Sequence, residues 1–197
     1  MKKITALVLT AALLAPLPAS AATFIVQAFA NSSSGGTGLS TITLTAGQAF
    51  TVSSNTNDLW SAGALPRFSD AGGLVGDRFA TAADDSGQAV GTQIGTNFGT
   101  WTQDGFTTAY GTMVGKIGTT YFALGTGFAG VAPTAGVLEL FYWDSNNGDN
   151  TGQIAAEVTA LAGAVPEATT WGMMIAGFGL VGMSLRRRSA KLIKQMI

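Results

Sequence analysis

The chain has 197 residues with no cysteine and no histidine, and its formal net charge is −1. The missing residue types exclude disulfides, zinc sites built on imidazole, and Ser-His-Asp or Cys-His catalysis. Seven of the ten basic residues lie in two terminal segments that have the character of targeting signals, so residues 22–164 carry three basic and ten acidic groups. A net charge of −7 on that central segment repels nucleic acid and favours cations.

The N-terminus has the three parts of a secretory signal peptide. Met1-Lys2-Lys3 is basic, Ile4 to Leu14 is apolar, and Ala19-Ser20-Ala21 supplies the small residues of a cleavage site. An uncleaved anchor helix is the alternative, but the apolar run is short and is followed directly by Pro16 and Pro18. We therefore predict that signal peptidase removes residues 1–21 and that the chain is exported.

Residues 22–164 suffice for one domain with a hydrophobic core, and their pattern is that of a β protein. Apolar residues alternate with polar ones over short runs separated by glycine-rich turns, and no helical stripe is sustained. The runs Ser40–Thr45 and Gln48–Ser53 are expected to form a hairpin, and residues Asn31 to Gly38 are expected to form a loop. We predict an all-β, antiparallel jelly-roll or β-sandwich domain, with strands at Thr23–Ala28, Ser40–Thr45, Gln48–Ser53, Thr112–Ile117, Thr120–Leu124, Gly136–Trp143 and Gln153–Leu161.

The middle of the domain, Ser54 to Ala109, shows few clear strands, and loops of that length are usually functional or disordered. Its adjacent carboxylates Asp84 and Asp85 raise the alternative of a catalytic pair. Side chains of neighbouring residues point apart, however, so a solvated acidic loop is the preferred interpretation.

The loop Asp144 to Gly152 follows an apolar strand and contains two carboxylates and three asparagine amides. Oxygen donors in one tight loop suit Ca²⁺, which takes six to eight oxygen ligands. The same residue types also build ordinary hairpin turns, because their side chains bond to local backbone groups. On the loop alone the two interpretations are left open.

The order of Gly111 to Gly118, Val131-Ala132-Pro133, Gly136 to Asp144 and Asp149-Asn150-Thr151-Gly152 resembles the calcium-dependent galactophilic bacterial lectins of the PA-IL type. The resemblance implies a small jelly-roll sandwich in which one Ca²⁺ bridges the protein and two hydroxyls of a sugar.

Carried over to this sequence, the resemblance implies that Asp144 contacts both ion and sugar and that Asp149 and Asn150 ligate the ion. Backbone carbonyls near Asn147 and in the Trp60 to Gly63 turn, at Ala62, would complete the ligand shell. For sugar contacts the resemblance suggests Asp144 and Asn150, and either Trp101 or Trp60 is a candidate to stack on the sugar ring.

Three departures from the lectin pattern limit what is carried over. Asp149 replaces a neutral amide, the sugar-contacting histidine has no counterpart, and Gly72 to Gly111 has the length of an insertion. Selectivity for galactose is therefore not implied.

The C-terminal segment combines a short motif, an apolar run and a basic stop. Pro166, Glu167 and Trp171 precede Gly172 to Leu185, and Arg186-Arg187-Arg188 follow. A plain anchor is one interpretation: a transmembrane helix within residues 165–188 with a basic cytoplasmic tail at 189–197. The order of the three parts resembles the PEP-CTERM sorting signal recognised by exosortases, although Ala168 stands where that motif has a second proline.

These observations together predict an exported, envelope-targeted and non-enzymatic protein. The precursor would lie in the inner membrane and the product at the cell surface or in the extracellular matrix, binding an exopolysaccharide or cell-surface glycan through Ca²⁺. A structural matrix protein without a sugar site is the rival, and a hydrolase lacks an identifiable carboxylate pair.

Overall fold

The structure, a computed structural model, describes residues 20–161, 171–182 and 186. The chain divides into two units, and Pro18–Leu161 contains every described strand while the other unit contains the described helix. The strands are β1 Ser20–Gln27, β2 Leu39–Leu44, β3 Ala49–Ser54, β4 Trp60–Ser61, β5 Phe68–Ser69, β6 Arg78–Phe79, β7 Gln93–Gly95, β8 Thr100–Gln103, β9 Phe106–Ala109, β10 Met113–Ile117, β11 Thr120–Ala123, β12 Gly127–Val131, β13 Gly136–Tyr142 and β14 Thr151–Ala160.

Two antiparallel sheets form the body of the domain. One has six strands in the order β12-β3-β14-β4-β5, with β1 paired along the other edge of β14, and the second has four in the order β11-β10-β13-β2. The long strand β14 is central because it pairs with β1, β3 and β4. Every strand pairing in these sheets is antiparallel, as predicted.

One hydrophobic core lies between the sheets and confirms the predicted all-β sandwich. The alternation predicted for the last strand is present, since Ile154, Ala156 and Val158 are all fully buried. Each buried large apolar side chain contributes about 1.5–3 kcal/mol. The six-stranded sheet also contributes Val26, Phe50 and Val52, and the four-stranded sheet contributes Leu44, Met113, Ile117, Leu138, Leu140 and Tyr142.

The predicted hairpin of the second and third strands is wrong, although both strands exist. β2 pairs with β13 in the four-stranded sheet, whereas β3 pairs with β12 and β14 in the six-stranded sheet. The turn between them, in which Gln48 N donates to Thr45 O (3.0 Å), crosses from one sheet to the other. Leu44 and Phe50 therefore face the same core from opposite sides, a pattern that alternation cannot distinguish from a hairpin.

The middle of the chain is more ordered than its sequence indicated. It contains four very short strands, β4 to β7, and a true hairpin of β8 and β9. The two-residue turn of that hairpin, Asp104-Gly105, has positive φ at both positions (52° and 80°), as a type I′ turn requires. A second hydrophobic cluster of Leu59, Ala80 and Ile94, with Phe68 packed against it, stabilises this region.

The predicted acidic loop at Asp84-Asp85 has a structural role. Thr81 and Ser86 each donate through backbone N–H and hydroxyl to the Asp84 carboxylate, and Leu59 N donates to Asp85 Oδ1 (2.8 Å). Although partial burial acts in the opposite direction, hydrogen bonds from Ser86 and Thr81 lower the pKa of Asp84 to about 2. The two carboxylates therefore bond to different groups and do not form a pair.

The C-terminal unit is described only at residues 171–182, which are helical, and at Arg186. The helix exposes its apolar side chains, including Trp171, Met173 and Phe178. Within the described parts of the chain, no helix has both the length and the apolar character needed to cross a membrane. Most of the predicted signal peptide, together with Pro166, Glu167, Arg187 and Arg188, lies outside the described residues. Ala21, the predicted cleavage position, lies in β1 and pairs with Thr159.

Gly95→Ala is expected to destabilise the domain by about 1–3 kcal/mol, the usual cost of overpacking. A Cβ there would lie 2.5 Å from the Phe68 carbonyl oxygen and 3.0 Å from the Arg78 Cβ, so β5 and β7 must separate. Gly76→Ala is the matched control, because no described heavy atom lies within 4 Å of its Cβ position. Urea unfolding of both variants should show a loss for the first alone, and equal losses would contradict this packing.

Candidate functional site

The loop between β13 and β14 is fixed at its start by a single hydroxyl. Ser33 Oγ accepts a hydrogen bond from Asp144 N (3.1 Å) and donates one to Asp144 O (2.9 Å). Ser33 belongs to the Asn31 to Gly38 loop, whose residue Ser32 is bridged to Tyr142 and fully buried. That predicted loop is thus held against the end of β13, and it holds the backbone of Asp144 in turn.

Local hydrogen bonds shape the rest of the loop. Ser145 N donates to Asp144 Oδ1 (2.7 Å), Gly148 N donates to Asn146 Oδ1 (3.1 Å), and Asn150 N donates to Asn147 O (3.1 Å). These are the turn-forming bonds expected of Asp and Asn. Taken alone, they are compatible with an ordinary connection between strands.

The structure brings Asp144 and Asn150 together in a buried position. Asp144 is 5% exposed and Asn150 is 4% exposed. Burial raises the pKa of Asp144, opposed by hydrogen bonds from Ser145, Asn150 and Asn146, while the nearby charge of Asp149 raises it further. The ionised carboxylate is therefore disfavoured here relative to water, and a cation beside it would offset that cost.

Asn150 has an acceptor atom without a donor. Its Nδ2 donates to Ala28 O (3.3 Å), whereas its buried Oδ1 has no hydrogen-bond partner among the described residues. A buried polar atom left in this state costs about 1–3 kcal/mol. The Tyr142 hydroxyl is also buried and has no hydrogen-bond partner among the described residues, and burial together with the charges of Asp144 and Asp149 raises its pKa.

Asp149 lies at the outer edge of this cluster, with its side chain 54% exposed. Its Oδ2 lies directly beside Gly63, where it would meet any Cβ added to that residue. Arg67 Nη1 lies 3.7 Å from the same oxygen. The turn after Trp60 and the loop before β14 therefore meet at Asp149.

The two predicted carbonyl ligands already accept hydrogen bonds. Ala62 O accepts from Arg67 Nη1 (3.3 Å), and Asn147 O accepts from Asn150 N. The Asn147 side chain is turned toward the Ser33 loop, where its Nδ2 donates to Phe29 O (3.3 Å) and its Oδ1 contacts Gly35. A carbonyl has two lone pairs, so neither bond prevents a further interaction.

The donor set is chemically suited to Ca²⁺. No group of three or more His, Cys, Asp or Glu side chains that could hold a metal occurs within the described residues. The cluster has two carboxylates, the Asn150 amide oxygen and backbone carbonyls, which are hard oxygen donors of the kind Ca²⁺ accepts. The buried, unpartnered Asn150 Oδ1 is the observation that fits an ion best.

Three aromatic residues, Phe98, Trp101 and Tyr110, form a rim beside the cluster. Trp60 is fully buried, bonded through Nε1 to Gly111 O (2.9 Å), and so is excluded from stacking on a ligand. Trp101 is only partly buried, and its ring centroid lies 6.4 Å from that of Tyr110. Tyr110 in turn contacts Phe98 (5.2 Å) and donates to Ser145 Oγ (3.4 Å).

Arg67, a residue that the sequence prediction omitted, connects the rim to the cluster. The Arg67 guanidinium lies 4.5 Å from the centroid of the Phe98 ring and also approaches Asp149. Arg67, Phe98 and Tyr110 were not predicted as site residues. One usable signal existed for Arg67, because it is one of only three basic residues in 22–164.

A separate shallow cavity of about 180 Å³ lies among residues 68–78. Of its charged groups, Asp70 and Arg78 pair with each other at 2.7 Å, Arg78 also donates to Thr56 O, and Asp77 accepts from Gln93 Nε2 and Thr96 Oγ1. These groups satisfy one another, so the cavity gives no indication of a ligand.

Comparison with known proteins supports the targeting prediction. Residues 164–188 match the PEP-CTERM protein-sorting motif. The chain carries a PEP-CTERM signal. That signal indicates an exported precursor that is processed by an exosortase and sorted to the cell surface.

Other comparisons are less informative. No curated protein matches the chain. Among solved structures, it is similar to one described as "EclA N-terminal domain; PllA-like lectin", with 19% identity over 71% of this chain and 95% of that chain, and a TM-score of 0.44. Any function of the central domain therefore rests on the residues of the site.

Mature protein recovered from the envelope is expected to lack the tail after the Pro166-Glu167 region, because exosortase processing would remove the helix. Intact-mass spectrometry measures this directly. Ala168→Pro, which restores the second proline of the motif and its extended geometry, should increase the processed fraction. Recovery of the Arg186 to Ile197 peptide from all mature molecules would instead indicate permanent anchoring.

Proposed function

We propose that the exported domain is a non-catalytic carbohydrate-binding protein that holds one Ca²⁺ with Asp144, Asp149 and Asn150. The observation that carries the proposal is the buried Asn150 Oδ1 without a partner beside the buried Asp144 carboxylate. Native proteins rarely leave such an oxygen unpaired. A cation that accepts the Asn150 oxygen and the Asp144 carboxylate would satisfy both groups.

Residues of the chain would position the groups that bind the ion. Ser33 fixes the backbone of Asp144, and the hydrogen bond to Ala28 O fixes the Asn150 amide, whose Oδ1 stays buried and without a partner among the described residues. Asp149 would bring the second negative charge from the exposed side. When bound, Ca²⁺ supplies open coordination positions for two sugar hydroxyls.

Trp101 and Tyr110 would provide the apolar part of the sugar site. Aromatic rings beside a polar cluster are suited to the apolar face of a pyranose. We infer an exopolysaccharide or cell-surface glycan as the ligand, because the PEP-CTERM signal sorts the protein to the cell surface. Signal peptidase and exosortase would act on the precursor, which the apolar helix would hold in the inner membrane.

A structural matrix protein remains the second candidate, and the turn-forming bonds of the loop favour it. Ser145, Gly148 and Asn150 each donate a backbone hydrogen bond within the loop, which needs no ion to hold that shape. The two candidates differ in one measurable respect, the dependence of the domain on calcium.

Calcium should raise the melting temperature of the full-length chain in mild detergent relative to a chelator. At a hundredfold excess over Kd, binding to the native state alone adds about 2.7 kcal/mol. Asp144→Asn should abolish this gain, while Glu157→Gln, the same charge change at an exposed position of β14, should retain it. Identical melting curves with Ca²⁺ and with chelator would remove the metal site and leave the structural candidate.

Glycan binding should require calcium, because the ion would contact the sugar directly. We expect binding to a bacterial polysaccharide array in Ca²⁺ that is lost in chelator and in Asn150→Ala. Trp101→Ala should weaken glycan binding at least about tenfold while keeping the calcium-induced thermal shift, and Phe79→Ala, an exposed aromatic outside the rim, should change neither. An array with no signal above the chelator control would contradict sugar binding.

A further inference from the structure

Arg67 occupies the edge of the candidate site where a cation is unexpected. Its Nη1 donates to Ala62 O (3.3 Å) and lies 3.7 Å from Asp149 Oδ2. Both neighbours belong to the predicted calcium shell. A guanidinium is therefore placed beside the position at which a ligand would meet the ion.

The pairing of Arg67 with Asp149 is weak. A separation of 3.7 Å exceeds the usual hydrogen-bond range of about 2.7–3.2 Å, and the two side chains are 38% and 54% exposed. Exposed pairs of this kind contribute little stability. The guanidinium has five N–H donors, so the bond to Ala62 leaves most of its donor capacity for another acceptor.

The Arg67 guanidinium lies over the ring of Phe98. The Arg67 Cζ lies 4.5 Å from the centroid of the Phe98 ring, and that ring packs edge-on against Tyr110 at 5.2 Å. A guanidinium stacked on an aromatic ring keeps its donor edge available for planar acceptors. Carboxylates match that edge through two parallel hydrogen bonds.

The other two basic residues of 22–164 are engaged elsewhere. Arg78 pairs with Asp70 at 2.7 Å, and Lys116, on β10, lies 5.1 Å from the centroid of the Tyr121 ring. Arg67 is thus the basic residue that the fold assigns to the site. In a segment with a net charge of −7, this placement needs an explanation.

The charge balance of the site explains why Arg67 lies there. The carboxylates of Asp144 and Asp149 balance the charge of one Ca²⁺, and Arg67 then leaves the site with one net positive charge. A ligand with a single negative charge would neutralise it, whereas a neutral sugar would not.

We propose that the glycan recognised here is acidic, and that Arg67 binds the carboxylate of a uronic acid while the sugar hydroxyls face the ion site. This inference rests on the proposed function and specifies its ligand class. Arg67 acts in it as a residue that determines specificity. Its stacked guanidinium would receive the carboxylate next to the aromatic rim.

The test compares matched sugars on the full-length chain in mild detergent with saturating CaCl₂. Isothermal titration is carried out with the methyl glycosides of galacturonic and glucuronic acid and with those of galactose and glucose. At least one uronide should bind at least about tenfold tighter than its neutral counterpart, about 1.4 kcal/mol. Added NaCl should reduce that difference, because charge attraction is screened.

Variants separate Arg67 from the metal site. Arg67→Gln should bring the uronide down to the affinity of the neutral sugar, and Arg67→Lys should keep part of the preference, while both retain the calcium-induced thermal shift. Lys116→Gln, which removes one positive charge elsewhere, should leave the preference unchanged.

Two outcomes overturn the inference while leaving the proposed function intact. One is equal affinity for acidic and neutral sugars, and the other is neutral-sugar binding without any uronide binding, each with the thermal shift preserved. If calcium produced no thermal shift in the unmodified chain, that result would instead refute the proposed metal site.

Discussion

The loop after β13 crosses from the four-stranded sheet to the six-stranded sheet, and the candidate site depends on that crossing. Asp144 lies just after β13, and its backbone N–H and C=O are both hydrogen-bonded to Ser33 Oγ. Asn150 directly precedes β14 of the six-stranded sheet. Because the crossing is short, two oxygen-bearing side chains from the two ends of the loop meet where water has little access. Burial then makes each unpaired polar atom costly, so the Asn150 Oδ1 indicates a ligand more strongly than an exposed amide would.

Two different parts of the chain supply the polar cluster and its aromatic rim. The cluster belongs to the sandwich itself, whereas Phe98, Trp101 and Tyr110 belong to the segment around β8 and β9. Tyr110 also packs against the main core, so it joins this segment to the sandwich.

Period-two alternation was sufficient to predict the sandwich, because Ile154, Ala156 and Val158 bury one face of β14. It was insufficient to assign strands to sheets, since β2 and β3 face one core from opposite sides and resemble a hairpin. The Asp104-Gly105 turn was a readable signal that was missed. The scarcity of basic residues made Arg67 noticeable in the sequence, but its place in the site could not be predicted, because its neighbours Asp149 and Phe98 are 82 and 31 positions away and only the tertiary fold joins them.

A crystal structure of the chain grown with CaCl₂ tests the central claim most directly, through the anomalous difference map. We expect one peak bonded to the Asp144 carboxylate, Asp149 and Asn150 Oδ1 at about 2.3–2.6 Å, the range of calcium–oxygen bonds. The hydroxyls of a bound sugar are expected to complete the coordination. A map without a peak at saturating calcium, with a water molecule hydrogen-bonded to Asn150 Oδ1 instead, would contradict that claim.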